Sequence, residues 1–104
     1  MSENVAQLKE ANEFIRSGLK LLDEKKYPES SDNVDKAYEI FKNNNSDAGI
    51  SVCLSLRAFL DYSQGRGNLG ENLELVSDAT FMAERSGDIT AKMINEMIFQ
   101  SLMF

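Results

Sequence analysis

Five apolar segments with helical spacing, separated by four short polar breaks, make up the chain. In the first segment Leu8, Ala11, Phe14 and Ile15 recur three and four positions apart, as on one face of a helix. Each segment is about 15–20 residues long, too long for an ordinary strand, and none shows sustained two-residue alternation. The pattern therefore predicts an all-α protein of five helices.

The breaks are short and rich in Gly, Asn, Ser and Asp, and they lie near residues 25–28, 43–47, 64–68 and 86–88. The only proline, Pro28, fits the first turn of the second helix, where its missing N–H is harmless. Short connections make consecutive helices antiparallel neighbours. We expect one domain over residues 1–104.

Helix starts are indicated by side chains that accept free backbone N–H groups. Asn68 stands three residues before Glu71, the spacing of a capping box. The other predicted starts are Asn4 (with Gln7), Asp47 and Asp88.

The composition excludes several kinds of reaction chemistry. The 104 residues include no histidine and one cysteine, so zinc sites of His and Cys, Ser-His-Asp triads and Cys-His dyads cannot be built. The net charge of −6 disfavours binding to nucleic acid, because binding to phosphates depends on Lys and Arg. We expect no catalytic residues, no metal and no cofactor.

Cellular location is predicted from segments that the sequence lacks. The N-terminal residues show no basic region followed by an apolar run, so we expect no signal peptide. No stretch of about 18 apolar residues is present, so no membrane span is expected. Cys53 has no partner and lies among apolar residues, which predicts a buried, unreactive thiol in a reducing compartment. The predicted location is the cytoplasm.

One motif resembles a dinucleotide-binding loop. Residues 65–70 read Gly-Arg-Gly-Asn-Leu-Gly, which satisfies the pattern G-x-G-x-x-G. That chemistry requires a preceding strand, whereas the preceding residues have helical spacing. We therefore interpret this segment as a turn between helices, with Gly67 in a left-handed conformation.

Two pairs of identical residues are separated by nearly the same interval along the chain. Ala37 and Ala79 are 42 residues apart, and Asp47 and Asp88 are 41 apart. This spacing indicates a helical-hairpin repeat of about 40 residues, in which each hairpin buries its apolar face against the next. We expect two stacked hairpins and a C-terminal closing helix.

The chain resembles the tetratricopeptide family, in a longer variant of the repeat. The residues that carry the resemblance are Phe14, Gly18, Leu21, Tyr27, Ser30 and Ala37, then Leu56, Gly67-Asn68, Leu69 and Ala79, and finally Met97 and Ser101. The resemblance implies a non-catalytic protein-interaction module, an adaptor or scaffold, that binds a protein or peptide in a concave groove.

The resemblance also implies which side chains face that partner. Ile15, Leu19 and Leu22 lie on the flank of the first helix that lines the groove in tetratricopeptide arrays, and Arg57 is the fourth predicted partner-facing residue. Family members that hold a carboxylate use Lys and Asn side chains in the groove. Because Ile15 and Leu19 occupy those places here, that way of holding a carboxylate is not expected, and Arg57 and Lys92 offer only isolated charges.

Two alternatives remain open. The last helix is apolar on more than one stripe and includes Met93 and Met97, which fits a structural homo-oligomer such as a homodimer. The segment from Leu19 to Lys42 also resembles HEPN helical bundles, whose nucleolytic members use an Arg followed closely by a His. Without histidine, that activity is not expected.

Overall fold

The computed structural model describes the backbone from Ser2 to Phe104 and the side chains from Val5 onward. Over these residues the chain forms five α-helices and no strand, which confirms the all-α prediction. The helices are α1 (Ser2–Asp23), α2 (Tyr27–Asn43), α3 (Asp47–Ser63), α4 (Leu69–Ser86) and α5 (Ile89–Met103). None of these five helices combines the length and the apolar character that crossing a membrane requires.

Helix α3 is the centre of the structure. The pairs α1–α2 and α3–α4 form two helical hairpins, α4 packs on α5, and α3 also packs on α2 and α5. Because it has neighbours on several sides, α3 is buried over most of its surface. Its buried residues are Gly49, Ser51, Val52, Cys53, Ser55, Leu56, Ala58 and Leu60.

The first hairpin is held tightly at a glycine. Ser30 of α2 donates a buried hydrogen bond of 2.7 Å from Oγ to the carbonyl oxygen of Gly18 in α1. A Cβ atom on Gly18 would lie 3.2 Å from a methyl group of Val34, so a larger residue at this position would require the Val34 side chain to shift. Gly18 and Ser30 therefore meet where α1 and α2 cross.

Each turn places a residue with positive φ directly before the next helix cap. These residues are Lys25 (φ 61°), Asn45 (φ 53°), Gly67 (φ 70°) and Gly87 (φ 79°). Residues 65–68 of the glycine-rich segment form the turn between α3 and α4, and Leu69 and Gly70 begin α4; a helix and not a strand precedes the segment, which confirms its interpretation as a turn between helices. Glycine suits this region of φ because it has no Cβ atom.

The caps confirm two predicted helix starts and correct a third. Asn68 accepts a hydrogen bond of 2.8 Å from the Glu71 backbone N–H, and Asp88 caps α5 in the same way. The cap of α3 is Ser46, whose Oγ accepts from the Gly49 N–H, and not Asp47, which is the first helical residue. The predicted start at Asn4 was wrong, because α1 begins at Ser2 and residue 4 already lies within the helix.

With this correction, the repeat has one period of 42 residues. The caps of α2 and α4 (Lys26 and Asn68) and those of α3 and α5 (Ser46 and Asp88) are each separated by 42 positions. Burial follows the same period throughout α2 and α4. The buried residues pair as Ser30 with Asn72, Val34 with Val76, Ala37 with Ala79 and Phe41 with Ala83.

Candidate partner-binding groove

An apolar groove between α1, α3 and α5 contains two adjacent clefts. The cleft beside residues 8–19 of α1, here called the upper cleft, has a volume of about 560 Å³. The cleft beside the C-terminal end of α1, here called the lower cleft, has a volume of about 510 Å³. Leu19 of α1 and Ile94 of α5 line both clefts, so the clefts adjoin along one groove. The other large apolar side chains are Leu8, Ile15, Phe41 and Val52 in the upper cleft, and Leu22, Tyr27, Leu56, Phe59, Met97 and Ile98 in the lower cleft.

Polar side chains accompany the apolar walls in both clefts. Asn12, Arg16 and Asp88 line the upper cleft, and Asp23 and Lys25 line the lower cleft. Each cleft therefore has one basic and at least one acidic residue among its lining groups. A few polar groups around apolar walls are typical of sites that orient an apolar ligand.

Three of the four predicted partner-facing residues line this groove. Leu19 is the most accessible, with 37% of its surface exposed. Leu22 is half-buried and lines the lower cleft, whereas Ile15 is only 7% exposed and belongs to the core while it also lines the upper cleft. The structure therefore brings these three α1 side chains together along one wall.

Arg57 does not line the groove. Its guanidinium donates hydrogen bonds of 3.1 and 2.9 Å from Nε and one terminal nitrogen to Oδ1 of Asp35, and lies 4.0 Å from the centre of the Tyr38 ring. These contacts tie α3 to α2. Lys92 is paired with Glu84 at 3.1 Å and also lies outside both clefts. Neither cation is placed to hold a carboxylate group in the groove.

The opposite wall of the groove includes residues that the sequence analysis did not assign to it. Val52 and Phe59 of α3, and Ile94 and Ile98 of α5, line the clefts. The sequence holds one signal that α3 and α5 contribute equivalent positions to this wall: the 42-residue period relates Val52 of α3 to Ile94 of α5, and Leu56 to Ile98.

A buried polar network fixes α5 against α3. The Asn95 Nδ2 group donates to Ser51 Oγ at 3.1 Å and to the Ala91 carbonyl oxygen at 2.8 Å. The Ser55 hydroxyl donates to Oδ1 of Asn95. All three side chains are fully buried. Ile94 is next to Asn95 in α5. By holding α5 against α3, the network therefore also fixes the position of Ile94 in the α5 wall of the groove.

Cys53 is buried in α3, and burial raises the pKa of its thiol from 9.0 to about 12, against a smaller lowering by the nearby Arg57 charge. At pH 8 the thiol therefore stays protonated in the folded protein. A thiolate is the reactive form. The position is that of a structural core residue, as predicted.

We predict that a thiol reagent such as Ellman's reagent leaves Cys53 unmodified at pH 8 in the folded protein and modifies it fully in concentrated guanidinium. Because the folded pKa is the higher one, the stability contributed by the protonated thiol is present below pH 9 and is lost as the pH rises towards 12. The stability of the wild type relative to Cys53→Ala should therefore fall between pH 8 and 11. Rapid modification of the folded protein at pH 8 would contradict this assignment.

Among the residues that the structure describes, no group of three or more His, Cys, Asp or Glu side chains is arranged to hold a metal ion. Comparisons of the chain with models of protein families, with curated proteins and with solved structures find no significant match.

Proposed function

We propose that this protein is a non-catalytic interaction module that binds an amphipathic helix of a partner protein in the groove between α1, α3 and α5. The observation that carries the proposal is the pair of adjacent apolar clefts that share Leu19 and Ile94. The partner helix would place apolar side chains from successive turns of one face into the two clefts, as in other helix-in-groove complexes.

The chemistry of the walls supports an apolar partner over a charged one. Apolar and aromatic side chains, counting Ala and Tyr with Leu, Ile, Val, Phe and Met, form most of the lining, and the charged lining residues are of both signs. Arg57 and Lys92 lie outside both clefts and are engaged with Asp35 and Glu84. An acidic peptide tail therefore has no cluster of cations to bind.

The period of 42 residues supports assignment to a tetratricopeptide-like architecture. Stacked hairpins of this kind present their first helices side by side and use the surface between them to bind partners. In this chain the corresponding helices are α1, α3 and α5, which supply most of the groove's lining, with Tyr27 and Phe41 contributed by α2. The role we propose is that of an adaptor or scaffold.

We predict that Leu19→Ser weakens binding of an amphipathic helix severalfold, because the partner would bury the exposed 37% of Leu19 and full burial of a leucine side chain contributes about 1.5–3 kcal/mol. The probe is a peptide selected on the wild-type protein from a displayed library of amphipathic helices, and its affinity is measured by calorimetry. Leu19 is 37% exposed, so the variant should keep its melting temperature within a few degrees.

Leu75→Ser is the matched control, since Leu75 is an exposed leucine of α4 that lines neither cleft. It should bind the selected peptide like the wild type. NMR shifts on peptide addition should concentrate on Leu19, Ile94 and their neighbours. Equal affinity for the wild type and Leu19→Ser, or shifts confined to another surface, would overturn the proposed function.

A further inference from the structure

The two clefts of the groove are related by a step of seven residues along each of its three wall helices. In α1, Ile15 lines the upper cleft and Leu22, seven residues later, lines the lower cleft. The equivalent pairs are Val52 and Phe59 in α3, and Ala91 and Ile98 in α5. An α-helix rises about 1.5 Å per residue, so this step is about 10 Å along the helix axes. The groove therefore runs along α1, α3 and α5.

The step between the clefts sets the spacing of the side chains that can enter them together. A partner helix that lies along the groove rises by the same amount per residue, so its two anchors are seven positions, or about two turns, apart. Residues at positions i and i+7 lie on one face of a helix. The partner turn between them passes Leu19 and Ile94, which line both clefts.

The three wall helices all point in the same direction. Ala48 and Thr90, in the first turns of α3 and α5, line the upper cleft, whereas Ser63 and Ser101, in the last turns, line the lower cleft. Helix α1 runs the same way, because its C-terminal end lines the lower cleft. The first backbone N–H groups and the last carbonyl groups of a helix have no partner inside it. The backbone therefore makes the upper end of the groove partially positive and the lower end partially negative.

Charged side chains do not distinguish the two ends of the groove. The upper cleft is lined by Arg16 and Asp88 and the lower cleft by Lys25 and Asp23, one cation and one anion in each. Helix α2 runs in the opposite direction, but it contributes a single side chain to the lining of each cleft. The dipoles of the three parallel helices are therefore the asymmetric charge that a bound helix meets.

We propose that the partner helix lies antiparallel to α1, α3 and α5 and places two apolar residues, seven positions apart, in the two clefts. This inference rests on the proposed function. The partner's N-terminal end, which is partially positive, lies at the lower cleft, and its partially negative C-terminal end lies at the upper cleft. The anchor nearer the partner's C-terminus therefore enters the upper cleft.

The direction is tested with the selected helical peptide carrying a nitroxide spin label at one terminus or the other. The label weakens the NMR signals of nearby backbone amides, and its effect falls steeply with distance. A C-terminal label should weaken the signals of Ala48 and Thr90 more than those of Ser63 and Ser101, and an N-terminal label should do the reverse. The opposite pattern, in a complex whose chemical-shift changes remain in the groove, would overturn this inference and leave the proposed function intact.

The spacing is tested by exchanging the second anchor of the peptide with the residue that follows it, which moves the anchor from i+7 to i+8 at constant composition. Each residue turns a helix by about 100°, so the moved anchor leaves the face that meets the groove. The affinity should fall about tenfold, as expected for one apolar side chain that is no longer buried.

The matched control is an exchange of two neighbouring residues on the opposite face of the peptide, which should leave the affinity unchanged. Unchanged affinity after the anchor exchange would overturn the inferred spacing. Chemical-shift changes confined to another surface of the protein would overturn the proposed function, and this inference with it.

Discussion

Replacement of Gly49 with alanine is expected to lower the free energy of unfolding by about 2 kcal/mol, although alanine favours a helix over glycine by about 1 kcal/mol. Gly49 is buried in the first turns of α3, and a Cβ atom there would overlap the ring of Phe41. Phe41 is 4% exposed and packed in the core, so its ring has little room to move. The melting temperature should fall by about 10 °C, measured by thermal denaturation.

Gly70→Ala is the matched control, because Gly70 is also helical but its Cβ atom would approach only Oδ1 of Asn68, at 3.4 Å. It should leave stability unchanged or slightly higher. Phe41→Leu provides the complementary test, since a smaller side chain makes room for the added methyl group. The double variant should lose less stability than the sum of the two single variants. If Gly49→Ala is as stable as the wild type, the close contact with Phe41 does not exist.

The Gly49→Ala substitution also tests whether a change in the core alters the groove. Phe41 and Gly49 both line the upper cleft, so a ring displaced by the new methyl group would move towards or away from the cleft. Weaker binding of the selected helical peptide to Gly49→Ala, but not to Gly70→Ala, would follow from displacement into the cleft.

The number, type and order of the helices could be predicted because their signals are local. Helical periodicity and the polar breaks identify five helices, and Asn68 and Asp88 cap the helices that follow them. The predicted cap of α3 is one residue too late, because Ser46 and Asp47 are adjacent and both are good capping residues. Only the backbone conformation decides between them, and Ser46 is the residue with extended φ and ψ.

The groove could be predicted in part. Leu19 and Leu22 lie on one flank of an amphipathic helix, and the sequence of α1 alone places them together. Arg57 required knowledge of a contact with Asp35, which is 22 residues away on another helix. No local sequence pattern indicates such a pair. The sequence therefore predicts that Arg57 faces a partner, whereas in the structure its side chain packs against α2.

The α3–α5 network was missed for the same reason. Asn95 lies 44 residues from Ser51 and 40 from Ser55, and in sequence it is a polar residue within an apolar helix. The period held a clue, because Asn95 corresponds to Cys53 and Ala11, which are both fully buried. A buried asparagine needs hydrogen-bond partners, and α3 supplies two of them.

Asn95→Ala is expected to lower the free energy of unfolding by about 2–3 kcal/mol, because it leaves a small cavity and removes the partners of buried hydroxyl groups. The Ser55 hydroxyl loses its acceptor, and the α5 helix loses its polar contacts with α3. Chemical denaturation of the wild type and the variant measures the difference. The affinity for the selected helical peptide should also fall, since Ile94 would no longer be held opposite Leu19.

Asn33→Ala separates the network from an ordinary helical asparagine. Asn33 of α2 donates a hydrogen bond to the carbonyl oxygen four residues earlier, as Asn95 does, but it lies near the surface and contacts no other helix through this amide. Its loss should change stability by less than about 0.5 kcal/mol. Ser55→Ala combined with Asn95→Ala should cost less than the sum of the single changes, because each single variant leaves the other partner unpaired in the core. Strict additivity, or equal effects at Asn95 and Asn33, would mean that this network does not hold α5 in place, and the fixed position of the α5 wall would then need another cause.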